Sequence, residues 1–426
     1  MTGVATITQV AASNAVGSMS SSNALVDDVR RTLDGFVQWL DAYGETSFDH
    51  QTYFAGPVGR SAKALYYRRP ALGTLAVAPM IFSEAFLPSG RRVFWKRQRL
   101  AIADAHYAMG FAFLATQSSG QVHYRRAVHF LETLIATRAP SYQRFAWGYP
   151  FDWVTRTGTI PSDTPMITTV PYVYEAFEQV FRLDSNHRWL DVMRSIADHA
   201  LLDYLEYSTG PGAASCSYTP PPVENEGVIN ASAYRGILLM KAAQQFDDER
   251  YAEAAQRNFN FVLQSQNANG SWYYALDQAR DFVDHFHTCF VLKALAKAEA
   301  LTGDSRFADA IARGVEYYAR SLFDSARLPE PFSRRPRLTV YKRELYDYAE
   351  CINLGVLLKG RFPELDINVM AVVKDAIARW RKSDGSFRAR ELYFGWDNVP
   401  MHRWAQSQMF RSLSFLLSKS SFESPS

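Results

Sequence analysis

A helical period that returns in pairs constrains this chain more than any other feature. Leu25, Val29, Leu33, Phe36, Val37 and Leu40 fall on one i, i+4, i+7 stripe, with Asp27, Asp28, Arg30 and Arg31 off it. Similar stripes run over about 72–86, 95–117, 122–138, 165–183, 187–205, 229–246, 249–264, 283–302, 305–322, 344–359, 366–382 and 401–417. Pro, Gly, Asn and Asp punctuate them, as at Gly303-Asp304, Asp384-Gly385 and Pro220-Pro221-Pro222. Sustained Val/Ile/Thr alternation is nearly absent. The fold class expected is all-α.

The linkers alternate in length. Joins such as Phe246-Asp247-Asp248 and Thr302-Gly303-Asp304 are tight, and the joins between them are long. Trp147, Tyr218, Trp272, Phe332 and Phe387 mark the long ones, spaced by 71, 54, 60 and 55 residues. Two helices per repeat at such a period mean stacked hairpins, each burying its inner face on its neighbours. About six hairpins close into an (α/α)6 toroid with the long loops at one mouth. Nearly all-apolar helices, such as the one holding Phe290-Val291-Leu292-Lys293-Ala294-Leu295, form the inner ring. An open solenoid is the competing arrangement and needs polar capping repeats, which the sequence does not offer.

Composition narrows the partners. Of 426 residues 47% are hydrophobic and 21% charged, as in ordinary globular proteins. The 46 Lys and Arg against 43 Asp and Glu leave a net +3, with no basic block to suggest nucleic acid. No run approaches the roughly 18 apolar residues of a membrane span. Three scattered cysteines, Cys216, Cys289 and Cys351, form neither a CxxC pair nor an even disulfide set, which fits a reducing, cytoplasmic setting. The first 26 residues are uncharged and rich in Ser, Ala, Thr and Asn, unlike a secretory signal. The expectation is a disordered tail over 1–23, one domain over 24–420 and a second tail over 421–426.

Several clusters carry candidate chemistry. Phe145-Ala146-Trp147-Gly148-Tyr149-Pro150-Phe151-Asp152-Trp153 sets five aromatics around one carboxylate. Sugars present apolar C–H faces to rings and hydroxyls to carboxylates and amides. A core-plugging aromatic loop with Asp152 capping a turn is the alternative. Gln266-Asn267-Ala268-Asn269-Gly270-Ser271-Trp272 resembles the QW motif of terpene cyclases, where it is structural, and the acidic DxDD motif of those enzymes is missing. Asp284-His285-Phe286-His287-Thr288 opens a helix, with Asp284 either an N-cap or an acid/base group at the mouth. The two histidines are two residues apart and cannot share a helix face, so no metal is expected. Asn230, Glu350 and Asn353 interrupt apolar helices, where an unpaired polar group costs about 1–3 kcal/mol. Arg403 beside Trp404 either holds a substrate carboxylate or ties the last hairpin to the first.

The motifs at 147–153, 284–288 and 402–406 look like those of VpsJ-like proteins of bacterial polysaccharide-biosynthesis clusters, within the six-hairpin-glycosidase-like toroid group. The resemblance spans about 145–417 and implies a carbohydrate context rather than a particular reaction. The expected protein is a cytoplasmic, carbohydrate-active component of exopolysaccharide assembly that hydrolyses or modifies a glycan or lipid-linked glycan without a cofactor. Polysaccharide-assembly proteins are its expected partners. Asp284, Glu350 and Asp152 are the candidate catalytic groups. Trp147, Tyr149, Trp153, Glu226, Asn230, Trp272, Tyr273, His285, His287 and Arg403 are the candidate substrate contacts, all in one acidic, aromatic cleft. A uronate epimerase or lyase would use His or Tyr as base with an Arg near the carboxylate. A non-catalytic glycan-binding or scaffold protein needs only the aromatic cleft.

Overall fold

Helices apolar almost all round have no side to offer to water, and they end up inside. The computed structural model describes residues 4–117, 120–156, 158–221, 227–336 and 338–420, leaving out the side chains of 4–23 and of Ser420. The expected tail over 1–23 thus has no described side chains, and 421–426 lies outside the described residues. In chain order the helices are α1 (Val4–Tyr43), α2 (Thr52–Ala55), α3 (Pro57–Arg68), α4 (Pro70–Phe86), α5 (Arg91–Phe94), α6 (Ala101–Ala115), α7 (Gly120–Ala136), α8 (Val170–Asp184) and α9 (Arg188–Leu202). They continue as α10 (Ile229–Phe246), α11 (Glu249–Gln264), α12 (His285–Thr302), α13 (Ser305–Ser321), α14 (Leu345–Leu357), α15 (Pro363–Asp375) and α16 (Ser407–Ser420).

Helices α6, α8, α10, α12, α14 and α16 pack each on the next, and α16 packs back on α6. That closes an inner ring. Their burial reflects their sequences: Ala-rich α6 buries every residue from Ile102 to Ala112, and α12 every residue from Thr288 to Ala296. The outer helices α7, α9, α11, α13 and α15 each pack on the inner helix before them and keep one wet side. The sixth outer position is filled by α1, which packs on α16, so the two ends of the chain make one hairpin. The fold is an (α/α)6 toroid, and the solenoid alternative falls away because the ring closes.

The tight joins turn on left-handed residues, Ser185, Asp247 and Gly303, and Asp248 and Asp304 cap the helices that follow. The long joins lead into the N-termini of inner helices and, apart from the join between α1 and α6, carry short strands among their described residues. These include β1 (Trp153–Val154) paired with β2 (Thr159–Ile160), and β3 (Glu206–Gly210) paired with β4 (Ala213–Cys216). Further on, β5 (Val283–Asp284) pairs with β6 (Phe332–Arg334) from the next repeat.

One segment stands outside the ring. The expected helix over 72–86 is α4, but it pairs with α3 in an insert between α1 and α6. The insert has its own small core of Tyr53, Ala62, Val77 and Met80. Ion pairs moor it to the mouth: Arg60 to Asp152, Glu84 to Arg390 at 2.7 Å, and fully buried Arg91 to Asp397.

Ring closure rests on backbone contact as well as apolar burial. Gly385 sits at φ +91°, and a Cβ there would lie 2.3 Å from the carbonyl oxygen of Gly35 in α1. Gly385→Ala is expected to cost about 2 kcal/mol or more by denaturant unfolding. Gly395→Ala, at φ +90° with nothing within 4 Å, should cost less, since only the dihedral strain remains.

Candidate active site

The mouth is where six inner helices begin, so residues in their first turns converge although the chain separates them widely. A cavity of about 70 Å³ opens there, walled by Tyr149, Tyr172, Tyr234, Phe286, Tyr346 and Trp404. Its polar lining comes from Thr168, Asn230, His287, Arg403 and Gln408. A smaller recess beside it is lined by Asn230, Tyr273, Asp284 and His287.

Asp284 has extended backbone (φ −120°, ψ 170°) and caps α12, its Oδ1 accepting the His287 backbone N–H at 3.0 Å. Its Oδ2 lies 2.6 Å from His287 Nδ1. One carboxylate therefore anchors the helix and orients the imidazole. With Nδ1 donating to Asp284, Nε2 is left as the basic nitrogen. Asp284 is buried, whereas the His287 side chain keeps 22% exposure and lines both hollows. Tyr274 meets the His287 ring edge-on at 4.7 Å, and Phe286 lies 4.3 Å away.

Two further polar groups stand out. Asn230 is 2% exposed, and among the described residues neither atom of its amide has a hydrogen-bond partner. Buried amides without partners are costly, and this one lines the cavity. Asp347, in the first turn of α14, is fully buried, and among the described residues neither of its oxygens has a partner. Burial, and then the nearby Glu344 and Asp284 carboxylates, pushes its pKa well above the ordinary carboxylate value.

The floor is charged. Glu350 lies between the Lys293 ammonium and Arg411, whose Nη2 is 2.9 Å away, and all three are buried. Tyr172 accepts from Lys293 at 3.3 Å and shares a 2.6 Å hydrogen bond with Tyr234. His106 stands edge-on to Tyr172 at 4.4 Å, and burial with the nearby Arg411 and Lys293 charges holds its pKa well below the usual histidine value.

The candidate residues separate into groups. Asp284, His287, Asn230, Tyr149, Tyr273 and Arg403 line the mouth hollows. Arg403 is also bidentate to Asp49 at 2.5 and 2.8 Å and stacks over Tyr149 and Trp404, so it ties α16 to the segment after α1 while forming a wall. Trp153 is half-buried beside Tyr149, with ring centroids 5.9 Å apart. Glu226 lies outside the described residues.

Three expectations need correction: those for Trp147, His285 and Asp152. Trp147 is 1% exposed and donates to the Leu134 carbonyl at the end of α7, so it is core rather than cleft wall. Trp272 lines the recess and also packs on Gly314 and donates to Val262 O, while Gln266 reaches Ala310 O, as a structural inter-repeat turn requires. His285 points away from the cavity into α13, 2.6 Å from the Tyr318 hydroxyl. Asp152 pairs with Arg60 of the insert and accepts from Ser162 N at 2.9 Å, so it is a clamp and turn cap. Glu350, the remaining catalytic candidate, is held in the floor.

Sequence reasoning missed Tyr172, Tyr234, Lys293, Arg411, His106 and Asp347 as site residues. The signal that singled out Asn230 and Glu350, a polar group inside an apolar inner helix, was also present at Lys293 and His106.

Comparison with known proteins adds the fold's relatives. No protein-family model matches the chain, VpsJ-like or other, and no curated protein does. Solved structures do. The cellobiose 2-epimerase from Spirochaeta thermophila matches with TM-score 0.59 at 13% identity, covering 76% of this chain and 86% of that one. A family 76 glycoside hydrolase from a bovine Bacteroides thetaiotaomicron strain matches with TM-score 0.58 at 10% identity, over 77% and 70%. A D-mannose isomerase matches with TM-score 0.56 at 10% identity, over 76% and 88%. These are (α/α)6 toroids of the six-hairpin-glycosidase type, and the likeness is one of fold.

Burial pushes the His285 pKa down to about 3, against an ordinary 6.5. The unfolded chain therefore binds the extra proton first as pH falls. The His285 contribution to stability is complete above about pH 6.5 and declines by about 1.4 kcal/mol per pH unit toward pH 3. His285→Gln should thus lower stability at pH 7, with the gap to the parent narrowing at pH 5 and again at pH 4. Denaturant unfolding at the three pH values checks this.

Proposed function

We propose that this chain is a carbohydrate-modifying enzyme that moves a proton at a sugar carbon, in epimerase, isomerase or lyase chemistry, with His287 as the acid–base group. The observation that carries the reading is the Asp284–His287 pair at an aromatic-walled cavity. Imidazole is the side chain whose charge ordinarily changes between pH 5 and 8, and a buried carboxylate on Nδ1 fixes its tautomer. Removing a proton from the carbon next to a carbonyl or carboxyl sends the electron pair to that oxygen. The Asn230 amide and the Arg403 guanidinium offer N–H groups for such an oxygen. Returning the proton to the other face inverts the centre. Expelling a substituent from the neighbouring carbon instead gives elimination.

Structural neighbours that are a cellobiose 2-epimerase, a D-mannose isomerase and a polysaccharide lyase support the carbohydrate class. Others named as family 76 enzymes keep hydrolysis as the second reading. A glycosidase needs two free carboxyl groups about 5–5.5 or 6.5–9.5 Å apart across the bond. Asp152 committed to Arg60, and Glu350 to Lys293 and Arg411, weigh against it. On the sequence resemblance we assign the substrate to the oligo- or polysaccharides or lipid-linked glycans of exopolysaccharide biosynthesis, handled in the cytoplasm beside other assembly proteins.

The test is solvent exchange. A panel of neutral and uronic oligosaccharides incubated in D2O should gain deuterium at one ring or chain carbon, seen by NMR. His287→Asn and Asp284→Asn should lower that rate by about 10²–10⁴-fold, with unfolding free energies within about 1 kcal/mol of the parent. New reducing ends without deuterium would establish hydrolysis instead. Binding without exchange would leave a glycan-binding protein.

A further inference from the structure

The solvent side of α4 is apolar but for Thr74, whose hydroxyl donates back to the Pro70 carbonyl. Ala71, Leu75, Ala78, Phe82 and Phe86 share one face at i, i+4, i+7, i+11 and i+15, flanked by Leu72 and Pro79. The opposite side, with Gly73, Val77, Met80 and Ser83, is the buried one. Leu75 is 72% exposed and Phe82 57%. Phe394, 74% exposed, stacks on Phe86 at 5.7 Å, and the next residue, Leu87, is exposed as well. A monomer in water does not ordinarily keep such a face.

Charge says what covers it. Residues 52–99 hold nine Lys and Arg against a single carboxylate, Glu84; Arg60, Arg91 and Arg99 pair with carboxylates outside the segment, and the other six still leave it strongly basic in a chain whose total is +3. Glu84 is itself paired to Arg390. Exposed Arg68 and Arg69 stand just before α4, beside exposed Tyr66 and Tyr67, and exposed Arg92 and Lys96 follow it. Apolar side chains bracketed by cations and amphipathic rings suit the boundary between lipid tails and anionic headgroups. A second copy of the insert would meet the first with like charge. Among the described residues no helix is long and apolar enough to cross a membrane, so the fit is to lying on one.

We propose that the α3–α4 insert docks the protein on an anionic lipid bilayer, with the Leu75–Phe82–Phe86 face in the headgroup–acyl boundary and the flanking Arg and Lys on lipid phosphates. This stands independently of the proposed proton chemistry. Because α2 and α3 pack on β1 of the mouth, docking sets the cavity entrance close to the lipid surface.

Flotation of the full chain with vesicles tests it. The protein should bind phosphatidylcholine vesicles containing phosphatidylglycerol, bind pure phosphatidylcholine much less, and release as salt rises. Leu75→Glu and Phe82→Glu, both at exposed positions, should each weaken binding about tenfold or more with unchanged melting curves. Arg68→Glu with Arg69→Glu should weaken it and flatten the salt dependence. Absence of binding to anionic vesicles, or equal binding by these variants, overturns the proposal. So does a solution dimer, seen by light scattering, that Phe82→Glu dissolves.

Discussion

A ring of six helices has an axis, and whatever fills that axis decides how deep a cavity can be. Here it is filled by charge. Glu350 is held between Lys293 and Arg411, and a layer further along Glu175 lies between Lys241, at 3.1 Å, and Lys297. Burial alone would favour the neutral Glu175 acid, yet the two lysines hold its pKa well below the ordinary value. Such groups repay their desolvation only when every partner is present, and losing one leaves an uncompensated charge in the core. The plug therefore fixes which inner helices are neighbours, and it makes the mouth a shallow cup rather than a tunnel.

Above that floor, groups do double duty. Asp284 caps α12 and aligns His287; Arg403 ties α16 to Asp49 and supplies a stacked wall. His402 bridges Tyr107 of α6 and the carbonyl of Gly44 past the end of α1, and burial lowers its pKa to about 4. The orientation of the site is thus set by the contacts that close the ring. A distortion of closure would be felt at the imidazole before it was felt in the helices.

What the sequence made legible follows from the range of the physics involved. Helical period and capping by Asp284 depend on neighbours a few residues away, and the structural role of Gln266 and Trp272 is written in a compact motif, so these could be read. The ring architecture followed from pairing and linker lengths. Trp147 and His285 were misassigned because an aromatic or a histidine in a loop can turn either way, and the Leu134 carbonyl and the Tyr318 hydroxyl that claim them lie on neighbouring elements. Tyr172, Tyr234 and Arg411 were missed because each looks like core on its own helix. Only three helices brought together make them a floor. The insert was invisible for a related reason: α4 shows a helical stripe whether that stripe faces protein or solvent.

The joining of α1 to α16 has a consequence for how the protein is made. The helix carrying Val29, Leu33 and Phe36 leaves the ribosome long before its partner α16, from which most of the ring separates it along the chain. At about 5–20 residues per second, that apolar stripe waits on the order of tens of seconds for its mate. The nascent chain must either shelter it on provisional contacts or rely on a chaperone. Completion of the ring, and with it the His402 bridge between Tyr107 and the Gly44 carbonyl, is deferred until α16 and the turn before it have been made.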